Sequence, residues 1–139
     1  MPLPAQMTPA SAHETRTHAP ETLFVDVRSP QEFAAGHAPG AVNIPLLFLD
    51  PTGRRPNPDF MAACAKALPK SAPIILGCAS GGRSGQAQAM LRSEGWTDLS
   101  NMIGGFSGGP GMPGWSQCGL PVATDGTTWA AVQATLGGG

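Results

Sequence analysis

The sequence carries little charge of either sign. Only 12% of its 139 residues are charged, and the formal net charge is −1, whereas soluble domains average about 25% charged residues. No lysine- or arginine-rich run is present, so the basic surface typical of nucleic-acid-binding proteins is missing. No apolar stretch approaches the roughly 18–20 residues of a membrane-spanning helix. We therefore expect neither a nucleic-acid partner nor a membrane partner.

Cysteine is also sparse, and its spacing argues against a metal site. Cys64, Cys78 and Cys118 lie far apart, and the three histidines form no ligand-spaced cluster with them. We therefore expect no metal and no cofactor. The N-terminus lacks the basic start and apolar centre of a secretory signal, so a cytoplasmic location is expected, where disulfides are rare. The remaining question is whether one of these thiols is a nucleophile.

The length of the chain suits a single domain, since domains most often have about 100–150 residues. The 19 glycines and 15 prolines are concentrated in a few places, which favours loop-rich ends. We predict a flexible N-terminal tail at 1–7, a folded domain at 8–122 and a partly disordered C-terminal extension at 123–139.

Apolar runs and turn signals alternate along the chain. They predict strands at 23–27, 41–45, 72–77 and 99–103, and helices at 10–18, 29–36, 59–68, 84–94 and 128–136. Glycine- and proline-rich segments predict loops at 50–58 and 104–114. Such alternation is typical of an α/β fold: a three-layer sandwich whose central, mostly parallel sheet has helices on both faces. Ligands of such folds bind at the carboxyl ends of the strands.

The segment around Cys78 carries the chemical signal. A buried strand leads into this cysteine, a turn of small residues follows, and a helix begins at once. The backbone N–H groups of such a turn, together with the helix N-terminus, favour an anion, and Arg83 adds a positive charge. These features favour the thiolate, which is the nucleophilic form of cysteine. An inert core cysteine needs none of them, so we predict that Cys78 is catalytic.

The length of the loop separates two kinds of chemistry. Cysteine-dependent phosphatases place five residues between the cysteine and the arginine, whereas four separate Cys78 from Arg83. The resulting ring of amides is tighter and suits one extra sulfur atom on the cysteine better than a phosphate. A phosphatase or an arsenate reductase is therefore a disfavoured alternative.

Four segments, in order, resemble signatures of the single-domain rhodaneses, which are thiosulfate:cyanide sulfurtransferase-type proteins. They are the strand and helix start at 23–33, the turn and strand at 36–45, the loop at 78–84, and Gly104-Gly105 followed by Trp115 and the segment 119–122. The resemblance covers about residues 8–122. The chain departs from the family pattern at Ala38, where isoleucine is usual, and at 106–114, which is several residues longer.

The resemblance implies a rhodanese-like fold and a covalent mechanism. Cys78 would attack the outer sulfur of a donor such as thiosulfate, become a persulfide, and pass the sulfur to cyanide or a thiol. A protein thiol partner is also compatible with this chemistry. The loop amides would hold the persulfide, the serines would donate hydrogen bonds, and the arginines would bind the donor. The predicted substrate-binding residues are Ala79, Ser80, Gly81, Gly82, Arg83, Ser84 and Arg28.

Several of these residues also have a purely structural interpretation. Arg28 can form an ion pair with Asp26, and His37 is expected to anchor a loop rather than act as a base. Cys64 is expected in the core, and Cys118 is either a small packed side chain or a second thiol. At the level of function, a sulfur-relay carrier supplied by a protein donor and a non-enzymatic binding or regulatory module remain alternatives.

Overall fold

The computed structural model describes residues 2–137, with a parallel sheet at its centre. The sheet has five strands in the order β1-β7-β6-β2-β3, and β4 and β5 form a separate antiparallel hairpin. The strands are β1 (Gln6–Met7), β2 (Leu23–Asp26), β3 (Val42–Asn43), β4 (Leu47–Asp50), β5 (Gly53–Pro56), β6 (Ile74–Gly77) and β7 (Leu99–Met102). The helices are α1 (Pro9–His18), α2 (Pro30–Ala35), α3 (Phe60–Ala67), α4 (Gly82–Ser93) and α5 (Trp129–Gly137), with a short 3-10 helix at Ser116–Cys118.

The central strand β6 shows why the sheet is buried on both faces. Ile74, Ile75 and Leu76 are fully buried, with β2 on one side and β7 on the other. Ile74 and Leu76 pack with α3, α4 and α5, whereas Ile75 packs with α1 and α2. This alternation follows the two-residue period of a strand. The predicted α/β class, with a mostly parallel sheet between helices, is confirmed.

Helix α2, predicted over 29–36, begins at a capping box formed by Ser29 and Glu32. The Ser29 hydroxyl accepts the Glu32 N–H at 3.3 Å, and the Glu32 carboxylate accepts the Ser29 N–H at 3.0 Å. Both bonds satisfy helix N–H groups that would otherwise lack partners. The box therefore fixes the Glu32 carboxylate beside the carboxyl edge of the sheet.

The prediction of a loop over 50–58 is wrong, because β4 and β5 pair across Asp50–Gly53. Pro56 lies at the end of β5, where a missing N–H costs little. A contact with another element stabilises the hairpin: the centres of the Phe48 ring and the Trp129 ring of α5 lie 6.2 Å apart. Such a tertiary contact leaves no local signal in the sequence.

The prediction of a flexible tail over 1–7 is wrong for its last two residues. Gln6 and Met7 pair with Asn101 and Met102 of β7, and Met7 is buried. The apolar Met7 side chain fills the core on the α1 side of the sheet, which fixes the strand.

The C-terminal segment is structured as far as it is described. Its helix α5 buries Trp129 and Val132 in the core, and Asn43 donates its N–H to the Thr127 carbonyl at 2.9 Å. The predicted disorder in this segment falls partly on residues 138–139, outside the described residues, and the bounds 8–122 remain a prediction. Within residues 2–137, every helix is too short or too polar to cross a membrane.

Candidate functional site

Cys78 lies at the point predicted for a nucleophile, directly after β6 and before α4. The Gly81 N–H points at the Cys78 sulfur, with nitrogen and Sγ 3.0 Å apart. Gly81 has φ +109°, a conformation that glycine adopts without a steric penalty. The cysteine is 2% exposed, so its sulfur faces protein donors rather than bulk water. Of the predicted loop amides, Gly81 is the one in contact with the sulfur in the described structure.

Ser84 and Asn101 complete the polar surroundings of the sulfur. The Ser84 hydroxyl lies 3.3 Å from Cys78 Sγ and 2.5 Å from the Asn101 amide oxygen. The Asn101 amide nitrogen in turn donates to the Gly81 carbonyl at 3.2 Å. Asn101 of β7 therefore positions both the hydroxyl and the loop. Asn101 was not among the residues predicted for the site; the available signal was a polar pair, Ser100 and Asn101, inside a predicted buried strand.

Arg83 forms a bidentate ion pair with Glu32 of α2. Its two terminal nitrogens donate to the two carboxylate oxygens at 2.8 and 3.0 Å. Burial alone would raise the pKa of Glu32, but hydrogen bonds from Arg83 and Ser29 outweigh it and lower the pKa to about 2. The hydrogen bond to Glu32 raises the pKa of Arg83. The structure thus holds Arg83 at the site through a carboxylate of α2, a contact that no sequence motif indicates.

Arg28 is found in its structural alternative, an ion pair with Asp26. Its Nη2 lies 2.7 Å from Asp26 Oδ2 and also 2.7 Å from the Gly36 carbonyl oxygen. Both charged side chains are 4% exposed, and the Phe106 ring centre lies 4.4 Å from the guanidinium carbon. The pair ties β2 to the turn that follows α2. Donor binding by Arg28 remains a prediction.

The glycine-rich segment after β7 packs directly against the cysteine loop. Phe106 donates its N–H to the Cys78 carbonyl at 2.7 Å, and Ser107 donates to the Ala79 carbonyl at 2.8 Å. Gly105 has φ +58°, and a Cβ there would collide with both of these carbonyls. A small cavity, with room for about one water molecule, lies beside Cys78 and is lined in part by Phe106 and Trp115.

Cys64 and His37 lie where their structural interpretations place them, whereas Cys118 lies in open solvent. Cys64 is buried in α3, and burial raises its pKa to about 12. Cys118 is exposed and unpaired. His37 contacts the backbone carbonyls of Phe33 and Asp125, as a loop anchor does. In the part of the chain that is described, no three metal-ligating side chains converge on one point.

Cys78 lies at the carboxyl edge of a parallel sheet, and its sulfur faces a loop amide just before a helix. This geometry is typical of proteins that use a cysteine thiolate. The family model described as "Rhodanese-like domain" matches residues 8–109, so the chain belongs to the rhodanese-like family. This confirms the family expected from the four sequence signatures.

The relatives and solved structures agree with this assignment. Thiosulfate sulfurtransferase 16 of Arabidopsis thaliana, a chloroplastic protein, is 40% identical over 99 residues, which are 71% of this chain and 78% of that protein. The mitochondrial Protein HIGH ARSENIC CONTENT 1 of the same plant is 40% identical over 84 residues, 60% of this chain and 50% of that protein. The crystal structure of Rv0390 from M. tuberculosis has a TM-score of 0.71 at 28% identity, covering 86% of this chain and 97% of that one.

Proposed function

We propose that this protein is a sulfurtransferase that carries a sulfane sulfur on Cys78. The Cys78 thiolate attacks the outer sulfur of a donor such as thiosulfate. The sulfur–sulfur bond of the donor breaks, sulfite leaves with the bonding electron pair, and a persulfide remains on the cysteine. A thiophilic acceptor, cyanide or a thiol, then takes the outer sulfur and restores the thiolate.

The observation that carries this proposal is the pair of donors aimed at the sulfur. The Gly81 N–H at 3.0 Å and the Ser84 hydroxyl at 3.3 Å both meet Cys78 Sγ. Sulfur in a thiolate or persulfide accepts such hydrogen bonds, and preorganised donors stabilise charge that forms during a reaction. The names of relatives, including a thiosulfate sulfurtransferase, support the same chemistry. The proposed reaction needs Cys78 as a reduced thiol, and the cytoplasm, the location predicted from the sequence, keeps thiols reduced.

Intact mass spectrometry tests the proposal directly. After incubation with thiosulfate, the protein should gain the mass of one sulfur atom, and addition of cyanide should release it as thiocyanate. The Cys78→Ser variant should gain nothing, whereas Cys118→Ser, which alters an exposed thiol in the 3-10 helix, should behave like the native protein. Equal sulfur loading of Cys78→Ser and native protein would overturn the assignment.

The same protein should not turn over an aryl phosphate or reduce arsenate. The loop between Cys78 and Arg83 is one residue shorter than that of the phosphatases, so its donors converge on a smaller volume. Turnover of an aryl phosphate at a rate matching sulfur transfer would show that loop length does not determine the reaction. A non-enzymatic binding module would show neither activity.

A further inference from the structure

Arg16 of α1 has a positive charge that no carboxylate of the described chain neutralises. Three ion pairs form within residues 2–137, and none of them involves Arg16. Its Nε donates to the Thr22 carbonyl at 3.4 Å, and its Nη1 donates to the Pro39 carbonyl at 2.8 Å. A guanidinium has five N–H donors and a permanent charge. Three of its donors and the whole charge therefore lack a partner among the described residues.

The Arg16 guanidinium is also half-buried. Its carbon lies 5.6 Å from the centre of the buried Phe24 ring. Its Nη2 lies against the backbone of Gly40, where a Cβ would come within 2.9 Å of it. Burial lowers the pKa of Arg16, whereas the hydrogen bond to Glu32 raises that of Arg83. A cation in such surroundings is stabilised when an anion joins it.

Arg16 lines an open cleft on the α1 side of the sheet. The cleft has a volume of about 230 Å³, which is that of roughly eight water molecules at about 30 Å³ each. It places a cation, an imidazole and a hydroxyl beside two proline rings and an indole. Its lining residues are His13, Arg16, Thr17, Pro20, Pro39 and Trp115. The cleft therefore offers polar groups for a charged end of a ligand and apolar rings for its body.

This cleft is distinct from the cavity beside Cys78. Among the described residues, Trp115 is the one that lines both, and it is 1% exposed. Its indole therefore forms the wall between them. A ligand in the cleft does not meet the Cys78 sulfur, so it is neither the donor nor the acceptor of sulfur.

We propose that this cleft, the Arg16 cleft, binds a small monocarboxylate that has a flat apolar body. The carboxylate accepts hydrogen bonds from Arg16 and neutralises its charge, and the body packs against Trp115 and the two prolines. One negative charge matches the one uncompensated cation. A phosphate ester carries up to two charges at neutral pH, and the second would lie near Glu14 and Glu21, which adjoin lining residues in the sequence. This binding does not depend on the sulfurtransferase function proposed above.

Benzoate is the probe for the experiment, because it joins one carboxylate to a flat apolar ring, and benzamide is its uncharged analogue. In an NMR titration of the native protein, millimolar benzoate should shift the indole N–H signal of Trp115 saturably. Trp96 and Trp129 belong to the core on the other face of the sheet, so their signals should stay in place. Benzamide should bind about tenfold more weakly, because it cannot pair with the charge. Phenyl phosphate should also bind more weakly than benzoate.

Two arginine variants and one cysteine variant localise the binding. Arg16→Gln should weaken benzoate binding about tenfold and remove the preference over benzamide. Arg54→Gln is the matched control, since Arg54 is exposed, lies outside the cleft and forms no ion pair within residues 2–137. It should bind benzoate like the native protein. Cys78→Ser should do the same, because Cys78 does not line the cleft.

Several results would overturn the Arg16 cleft while leaving the sulfurtransferase intact. Equal affinity of the native protein for benzoate and benzamide would exclude an anion site, and this comparison decides even if Arg16→Gln folds poorly. The absence of any Trp115 shift would exclude binding at this place. Loss of benzoate binding in Cys78→Ser would move the ligand to the sulfur site. Tighter binding of phenyl phosphate than of benzoate would show that the ligand class is wrong.

Discussion

The Ser84 hydroxyl has one proton and two competing acceptors, the Cys78 sulfur at 3.3 Å and the Asn101 amide oxygen at 2.5 Å. When Cys78 is a thiol, its S–H can donate to Ser84 while the hydroxyl donates to Asn101. When Cys78 is a thiolate, the hydroxyl proton can turn toward the sulfur, where a charge-assisted bond is stronger. Ser84 thereby adapts to the charge of the cysteine without any movement of the backbone.

Removal of this hydroxyl should slow persulfide formation. Hydrogen bonds to charged groups are worth about 1.5–3 kcal/mol, so Ser84→Ala should lower the rate of sulfur loading by about tenfold to a hundredfold. Single-turnover mass spectrometry measures that rate. Ser93→Ala, in the last turn of the same helix and exposed, is the control and should react normally. A Ser84→Ala rate equal to that of the native protein would exclude a role for the hydroxyl.

The Glu32–Arg83 pair connects helix α2 to the cysteine loop. Because Glu32 titrates, the pair makes the stability of the folded protein dependent on pH. Glu32 has a folded-state pKa of about 2 against an ordinary value of 4.5. A depressed carboxyl pKa stabilises the fold above the ordinary value, and this stabilisation is lost as the pH falls from about 4.5 to about 2.

The Glu32→Gln variant should therefore lose less stability in acid than the native protein. Urea unfolding at neutral pH and at a series of pH values through this window measures the difference, which should shrink at the acid end. The effect should be modest, because the pair is partly open to solvent. Parallel pH profiles for the two proteins would mean that Glu32 does not contribute to acid sensitivity.

The segment after β7 is a structural part of the site, and Gly105 shows this most directly. Gly105→Ala should cost about 3 kcal/mol and slow sulfur loading, because the new Cβ meets the carbonyls of Cys78 and Ala79 in a left-handed conformation. Gly111 has a similar φ of +70° but open space around it, so Gly111→Ala should cost only about 1 kcal/mol. Thermal unfolding and the loading rate of both variants check this. Equal effects in the two variants would mean that Gly105 is required only for its backbone conformation and not for its contact with the cysteine loop.

Local signals were enough to predict the strand β6, the start of α2 near Ser29 and the cysteine loop, because each depends on neighbours in the sequence. The Glu32–Arg83 pair joins residues 51 positions apart, and no spacing rule connects them. The hairpin β4–β5 was missed for the same reason, since Phe48 finds its partner Trp129 only in the folded chain. Most of the fold and the position of Cys78 between β6 and α4 were therefore accessible from sequence, whereas the pairing of Arg83 with Glu32 was not.

The molecule as a whole depends on α5, although the sequence suggests an accessory extension. Trp129 is 6% exposed and belongs to the core cluster that contains Ile74 and Leu76 of β6. Trp129→Ala should lower the free energy of unfolding by about 3 kcal/mol, measured by urea denaturation. Gln133→Ala, an exposed change on the same helix, should be nearly neutral. A stability loss of less than about 0.5 kcal/mol in Trp129→Ala, the range of ordinary surface changes, would restore the view of a separate extension.

The strand order also has a consequence for the folding of the protein during its synthesis on the ribosome. β1 is synthesised first, yet its partner is β7, through the pairs Gln6–Asn101 and Met7–Met102. Until β7 has left the exit tunnel, β1 lacks its pairing partner and one edge of β6 is open. Because β7 also supplies Asn101, the sheet closes and the Ser84 hydroxyl beside the cysteine gains its positioning partner in the same late event. The nascent chain thus has no assembled sulfur site until β7 has emerged from the tunnel.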